Sequence, residues 1–277
     1  MLTIEKTVLP SPEQWEIIIE GARNPLNSWD LMDSFVCHGD TAADICPEQC
    51  PYDMNTCPVY DDDEYIIGPK DHKLLSKLAN AGPDEAKFRR MVPVYITINA
   101  PLYWWKEFDT YKIATVANSC STMHKIHDKE FVYSDFSHED LLGDNDEGAP
   151  LILNPADTFS VLSPESIFVL TVRMLNAARV KYLEFDRILK NPIKVKSMPD
   201  DEHKKLVKCR KAAWKQMIQL LPTSYNQKRT IFLNYEVLAN MYHARRNHKL
   251  GCWHTLCDWI ETLPYSEFIT GKGASNK

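Results

Sequence analysis

Three polar residues stand out in the stretch Leu221–Leu250, LPTSYNQKRTIFLNYEVLANMYHARRNHKL: Asn234, Asn240 and Arg245. Beyond Pro222 the stretch has no Gly or Pro, so it reads as containing one long helical run. At about 100° per residue, Asn234, Leu238, Met241 and Arg245 form a narrow stripe, widened by Ile231, Tyr235 and Tyr242. Leu233, Val237 and Ala244 lie on an adjoining flank with Asn240 among them, and Glu236, His243 and Asn247 make a small solvated face. A helix that is apolar over most of its circumference is buried. Polar groups buried with it need partners, which are either other side chains or a ligand.

Two further groups could do chemistry. Ala117–His124, ANSCSTMH, is dense in short hydroxyls. Such a loop offers donors to an anion or a base edge, or is an ordinary Ser/Thr turn. Cys120, His124 and His127 lack a fourth metal ligand. Cys37, Cys46, Cys50 and Cys57 could supply four thiolates to zinc, although their spacing departs from paired CxxC knuckles. The alternative is thiols in a loop, and no metal is assigned.

The elements that must position these residues belong to a chain of 277 residues, 44% hydrophobic and 25% charged. That suits one large folded domain or two small ones. A net charge of −6 gives no reason to expect nucleic-acid binding. No apolar run is long enough for a bilayer, and MLTIEKTVLPSPEQ does not read as a signal peptide, so a cytoplasmic protein is expected. Its eight Cys are then thiols or metal ligands rather than disulfides. Neither a P-loop nor GxGxxG occurs.

Leu2–Val8 alternates as a strand. Ser11-Pro12-Glu13-Gln14 is a capping box opening a helix that buries Trp15, Ile18, Ile19 and Ala22. Residues 37–63 form an irregular Cys/Pro/Asp-rich insertion. Helices are expected over Asp71–Ala81 and Asp84–Arg90, and a strand over Val92–Asn99. Pro101 begins an aromatic helix whose Tyr103, Trp104, Trp105, Phe108 and Tyr111 read first as core. Asp135–Pro155 reads as acidic loop, and long helices follow at about Glu165–Leu189 and Asp201–Leu221, joined by a linker over Asn191–Pro199. A last helix covers about Cys252–Thr262, and the tail 271–277 is expected to be disordered. The expected fold is α+β, a small antiparallel sheet with a layer of long helices, in a single domain over 1–270.

Two segments resemble the flavin-dependent thymidylate synthases (ThyX-type). That family has a strand ending in Ala-Pro, an aromatic helix, R-H-R-x-x-S, then N-E-x-S-x-R-Y. Here Ala100-Pro101 leads without a gap to Thr110-Tyr111-Lys112, and after one inserted residue to Asn118, Ser119, Ser121, Met123 and His124. The family's second segment runs from Leu-Pro to N-x-R, an Asn, and an Arg at the helix end. Leu221-Pro222 leads without a gap to Asn234, Glu236, Asn240 and Arg245. The chain departs where R-H-R is Thr110-Tyr111-Lys112, the motif Glu is Ser119 (or Asn118), the motif Arg is Met123, and the Arg of N-x-R is Glu236.

The resemblance implies reductive methylation of dUMP to dTMP with FAD, methylenetetrahydrofolate and NADPH. It implies catalytic roles for Arg245 and Ser121, and nucleotide contacts from Ser119, Ser121 and Arg245. Flavin contacts fall to Asn234, Asn240, Lys112, Ile113 and Asn118. It further implies a homotetramer with shared active sites. Lys112, Arg89, Arg90, Lys228, Arg229 and Arg246 could replace the missing phosphate cations. Two alternatives are altered pyrimidine-nucleotide chemistry on the same fold, and a non-enzymatic assembly module in which Arg245 is a buried ion-pair residue with Glu236 or an Asp elsewhere as its partner.

Overall fold

A computed structural model describes residues 2–37 and 64–271. In chain order the elements are β1 (Thr3–Val8), α1 (Pro12–Arg23), β2 (Phe35–Cys37), β3 (Glu64–Ile66), α2 (Pro69–Ala81), β4 (Pro93–Pro101), α3 (Leu102–Phe108), β5 (Val116–Ser119), β6 (Ile152–Asn154), β7 (Asp157–Leu162), α4 (Pro164–Leu189), α5 (Pro192–Lys196), α6 (Asp200–Leu220), β8 (Asn226–Asn234), α7 (Tyr235–Arg245), α8 (Gly251–Glu261) and α9 (Glu267–Thr270). Ala86–Met91 is a 3-10 helix. The main sheet has the order β1-β4-β8-β5, and two small sheets pair β2 with β3 and β6 with β7, both antiparallel. The expected α+β class holds. Among the described residues, no helix is long and apolar enough to cross a membrane.

The described residues divide between two compact units. One is drawn from Met1–Thr3, Asn99–Phe108 and Ser119–Arg229, the other from Ile4–Ile98, Asp109–Asn118 and Thr230–Lys277. In the first unit α4 packs along α6. Their core is Phe168, Val172, Leu175 and Met217, joined by Ile126, Phe131 and Phe136. Ser163 caps α4, its Oγ accepting from the Ser166 amide at 3.2 Å. The expected linker after α4 contains α5, because Asn191 Oδ1 accepts from the amides of Ile193 and Lys194, both at 3.1 Å. The β6–β7 hairpin lies at the end of a region that reads as loop, and its register shifts between Leu153 and Asn154.

In the second unit, α1 starts as its sequence dictates. Gln14 Oε1 accepts from the Ser11 amide at 2.9 Å, and Trp15, Ile18, Ile19 and Ala22 are buried. Val94, Ile96 and Ile98 of β4 are buried on one side, following the period of two. Thr97 and Thr230 hydroxyls meet at 3.0 Å, and the Tyr95 and Phe232 rings lie 5.1 Å apart.

The largest correction concerns the helical run. Residues 226–234 are strand, and the helix is confined to Tyr235–Arg245. Gln227, Ile231 and Leu233 are buried at alternate positions, while Lys228 and Thr230 are exposed. Asn234 makes the switch: its Oδ1 accepts from the Val237 amide at 3.0 Å, capping the helix in place of a Gly or Pro punctuator. Ile231 and Leu233 therefore bury as strand residues and not as parts of a helical face. Cys46, Cys50 and Cys57 lie outside the described residues, as does the tail after Gly271. Among the described residues no group of three or more His, Cys, Asp or Glu could hold a metal ion.

Candidate functional site

Arg245 lies in the last turn of α7, where a cation is favoured by the helix dipole. It is half-buried rather than buried. Its Nε donates to Tyr111 Oη at 3.0 Å, and its Cζ lies 4.7 Å from the Trp253 ring centroid and 5.7 Å from that of Tyr111. Trp253 is fully buried in α8 and meets Tyr111 edge-on, with centroids 6.1 Å apart. A guanidinium over an aromatic face gains cation–π attraction without losing its fork of donors. Two of the sequence's candidate segments, 110–124 and 221–245, thus meet at Tyr111 and Arg245.

The partner of Glu236 is Arg89, not Arg245. Arg89 Nη1 and Glu236 Oε2 are 3.9 Å apart, both side chains largely buried. Arg89 Nε also donates to the Phe268 carbonyl at 2.5 Å. Burial lowers the Arg89 pKa, and the Glu236 charge partly opposes that shift. Arg89 is therefore committed to the interior. Arg246 is committed too, pairing with Asp258 and, at 3.4 Å, with Glu261. Arg90 donates to the Pro83 carbonyl at 3.3 Å.

The flavin candidates Asn234, Asn240, Lys112, Ile113 and Asn118 belong to this same unit. Asn234 is buried, and besides capping α7 it donates from Nδ2 to the Arg90 carbonyl at 3.3 Å. Asn240 is exposed, against the expectation that it is buried, because its side of α7 faces away from the core. Lys112 and Asn118 are exposed, and Ile113 is 89% exposed. Ala114 takes φ 56°, turning the chain towards β5 at the end of the sheet order. Thr115 Oγ1 is buried with no hydrogen-bond partner among the described residues.

Ser119 and Ser121 belong to the other unit and are exposed. Ser121 Oγ accepts from the amides of Met123 (3.3 Å) and His124 (2.9 Å), so the hydroxyl-rich loop includes a Ser turn. Within this unit the same two segments lie along each other. Leu102 and Tyr103 amides donate to the carbonyls of Tyr225 (3.0 Å) and Thr223 (2.9 Å). The Cys120 amide donates to the Lys228 carbonyl at 3.0 Å, and Gln227 Nε2 to the Cys120 carbonyl at 2.9 Å. Trp105 Nε1 donates to the Gln227 carbonyl at 2.9 Å, and Arg229 Cζ sits 4.3 Å from the Trp105 centroid. Lys228 is exposed and Arg229 half-buried.

Sequence reasoning singled out Arg245 but not its platform. Trp253 reads as plain core, and Tyr111 as an aromatic of the α3 region. The buried Arg23–Asp71 pair, 2.5 Å between Nε and Oδ1, was likewise not anticipated, since the two positions are 48 residues apart.

No protein-family model matches the chain, and no curated protein sequence matches it. Among solved structures, thymidylate synthase X (ThyX) from Helicobacter pylori with FAD and dUMP is 13% identical. That match has a TM-score of 0.49 and covers 98% of this chain and 97% of the other. A second structure from that organism, also complexed with FAD and dUMP, matches at 13% identity and TM-score 0.49, covering 98% of each chain. A UMP/dUMP methylase, PolB, from Streptomyces cacaoi bound with 5-Br dUMP is 14% identical, at TM-score 0.45, covering 99% of this chain and 95% of the other.

Proposed function

We propose that this protein is a divergent flavin-dependent thymidylate synthase that binds FAD and methylates a pyrimidine nucleotide, dUMP in the first instance. The observation that carries the reading is the fixed guanidinium of Arg245, held by Tyr111 over Trp253. It joins the two sequence segments on which the family resemblance rests. Thr115 Oγ1, a buried hydroxyl without a hydrogen-bond partner among the described residues, lies between Ile113 and Asn118. The exposed Ile113 and Val116 flank it. An orphaned donor beside uncovered apolar side chains fits a segment that receives a flavin.

Bound FAD would supply hydride, with NADPH as reductant and methylenetetrahydrofolate as carbon donor. The chain's own contribution is electrostatic. As the pyrimidine C5 becomes nucleophilic, negative charge builds on the ring and its carbonyl oxygen. Arg245 offers a permanently charged, planar donor set to that charge. The aromatic surroundings lower the local dielectric and strengthen the attraction. Lys112, Ile113, Asn118, Asn234 and Asn240 are assigned to the flavin. The hydroxyls of Ser119 and Ser121 are assigned to the nucleotide on the resemblance alone. A homotetramer accompanies the reading, and the exposed apolar Ile167, Leu170 and Met174 on α4 support self-association.

One observation favours a second reading. Glu236, standing where the family has Arg, is paired with Arg89, so that position offers no free cation. Altered pyrimidine-nucleotide chemistry, or an assembly module without catalysis, fits that loss. The test is flavin reoxidation with methylenetetrahydrofolate. The reading expects dUMP-dependent reoxidation, lowered roughly 100-fold or more by Arg245→Ala. Reoxidation that ignores dUMP in the unmodified protein would point to another substrate.

A further inference from the structure

We propose that one face of α6 is a docking surface for the phosphate backbone of a nucleic-acid duplex. This surface is independent of the flavin chemistry above and uses residues that the chemistry does not. Lys204, Lys208, Lys211 and Lys215 follow one another at intervals of four, three and four residues. At about 100° per residue they fall within an arc of about 60°. They form a straight row about 16 Å long, with steps of about 4.5–6 Å. All four are exposed. The opposite side of α6 carries Ala213 and Met217, both buried, with Met217 in the core shared with α4. The row is therefore the outermost edge of the helix.

Two observations separate this row from an ordinary solvated face. The first is charge. Residues 173–215 hold thirteen Lys or Arg against five Asp or Glu, whereas residues 130–172 hold nine Asp or Glu and no Lys or Arg. The net charge of −6 averages over stretches of opposite sign and hides the basic one. The acids of α6 itself, Asp200, Asp201 and Glu202, are confined to its first turn, where the helix dipole favours them. The second observation is pairing. Neighbouring cations are matched: Lys181 with Glu184 at 2.9 Å, and Lys190 and Arg210 with Asp186 at 2.7 and 2.8 Å. None of the four lysines in the row has an ion-pair partner among the described residues. Each instead faces another lysine three or four residues away, and like charges at that spacing repel. The fold gains nothing from that repulsion, and an external row of anions removes it.

A duplex backbone fits the row best. Its charges are closely and regularly spaced, and lysine meets a phosphate as a point charge without demanding a fixed geometry. No Tyr, Phe or Trp stands in the row to stack on bases, so the binding is to phosphate and independent of sequence. A helix on a membrane surface sets an apolar face beside its cations. The apolar face of α6 is spent against α4, and its exposed Val207 and Leu220 lie off the row. The acidic stretch of a second copy has carboxylates that are already engaged. Asp144 accepts from the Ser163 amide at 3.1 Å and from Ser166 Oγ at 3.0 Å. Asp146 accepts from the Gly143 amide at 2.6 Å, and Glu139 from the His138 amide at 2.7 Å.

The test is binding of the full chain to a fluorescein-labelled DNA duplex of arbitrary sequence, followed by fluorescence anisotropy between about 50 and 200 mM salt. Four phosphate contacts imply an affinity that falls roughly 100-fold over that range. A row variant combines Lys204→Gln, Lys208→Gln, Lys211→Gln and Lys215→Gln. It should bind at least roughly ten-fold more weakly at the lower salt, with a flatter salt dependence, since each lost phosphate contact lowers the slope by about one. A control variant makes the same change of charge in the other unit, at the exposed Lys6, Lys70, Lys73 and Lys77, each to Gln. It should bind within about three-fold of the unmodified protein, because charges away from the contact are screened. The row variant should melt no lower than the unmodified protein, its repulsion being relieved.

Binding that is weakened in the row variant and kept in the control supports the proposal. No duplex binding by the unmodified protein at the lower salt overturns it, and so does an equal loss in both variants, which reflects net charge alone. A row variant that melts lower also overturns it, since the lysines then serve the fold. Vesicles of phosphatidylcholine and phosphatidylserine are measured in parallel. Binding to them that depends on the row, with none to the duplex, overturns the proposal in favour of a lipid surface.

Discussion

Arg89 and Glu236 face each other inside the second unit, Nη1 to Oε2 at 3.9 Å, with side-chain exposures of 11% and 16%. The position at which the family resemblance calls for a cation is therefore an anion balanced from within the fold. Writing the family residue back in by Glu236→Arg would set two guanidinium groups against each other. We expect it to cost about 2–4 kcal/mol, the penalty of leaving a buried charge uncompensated. Adding Arg89→Gln should recover part of the loss, so a double-mutant cycle read by urea unfolding shows coupling. A Glu236→Arg midpoint close to that of the unmodified protein would show that the two charges are independent.

Asp71 contributes acid sensitivity to the same unit, in which Glu267, paired with His72, also has a lowered pKa. Asp71 is fully buried, and Arg23 Nε donates to its Oδ1 at 2.5 Å. Its Oδ2 accepts from the amides of Asp33 and Ser34, both at 2.9 Å, and from Ser34 Oγ at 2.6 Å. Burial pushes its pKa up, but these hydrogen bonds and the Arg23 charge outweigh burial, and the net shift is downward. A depressed folded-state pKa means that the unfolded chain takes up the proton first. The stabilisation is complete above the ordinary carboxylate range, about pH 4, and is lost as pH falls through the folded value. Asp71→Asn should cost about 3–5 kcal/mol at pH 7, because it leaves Arg23 buried without its counter-charge. It should also flatten the fall in stability as pH drops below about 4, measured by urea titration. An unchanged pH slope in Asp71→Asn would rule Asp71 out as a source.

Trp105 links α3 to β8 by its indole N–H on the Gln227 carbonyl and its face under Arg229. Trp105→Phe keeps much of the apolar volume and removes the donor. We expect a loss of about 1–3 kcal/mol from the orphaned carbonyl and the weaker cation–π contact. Arg229→Gln should cost less in the Trp105→Phe background than in the unmodified protein. Equal costs in the two backgrounds would show that the stacking contributes nothing.

Local signals in the sequence were legible where the chain satisfies itself locally. Ser11 and Gln14 state the start of α1, and Ser163 that of α4, because a capping box or cap is a short-range device. The strand β8 was harder to read. Its inward positions include Gln227, buried, and Arg229, half-buried, so apolar alternation is broken by polar side chains that find partners only in three dimensions. No Gly or Pro separates β8 from α7, although Asn234 followed three residues later by Val237 is an N-cap that an Asn can signal. The site shows the same limit. Arg245 was found from its type and spacing, but Tyr111 is 134 residues away, and Arg89 is still further from Glu236. Pairings of that kind are set by tertiary packing, and periodicity holds no trace of them.

Flavin binding tests the central claim most directly. The protein, purified without added cofactor and then titrated with FAD, is followed by visible absorption and flavin fluorescence. The proposed function expects a flavin band to be retained, or to be restored stoichiometrically on titration. A colourless protein that leaves added FAD free in solution would contradict it.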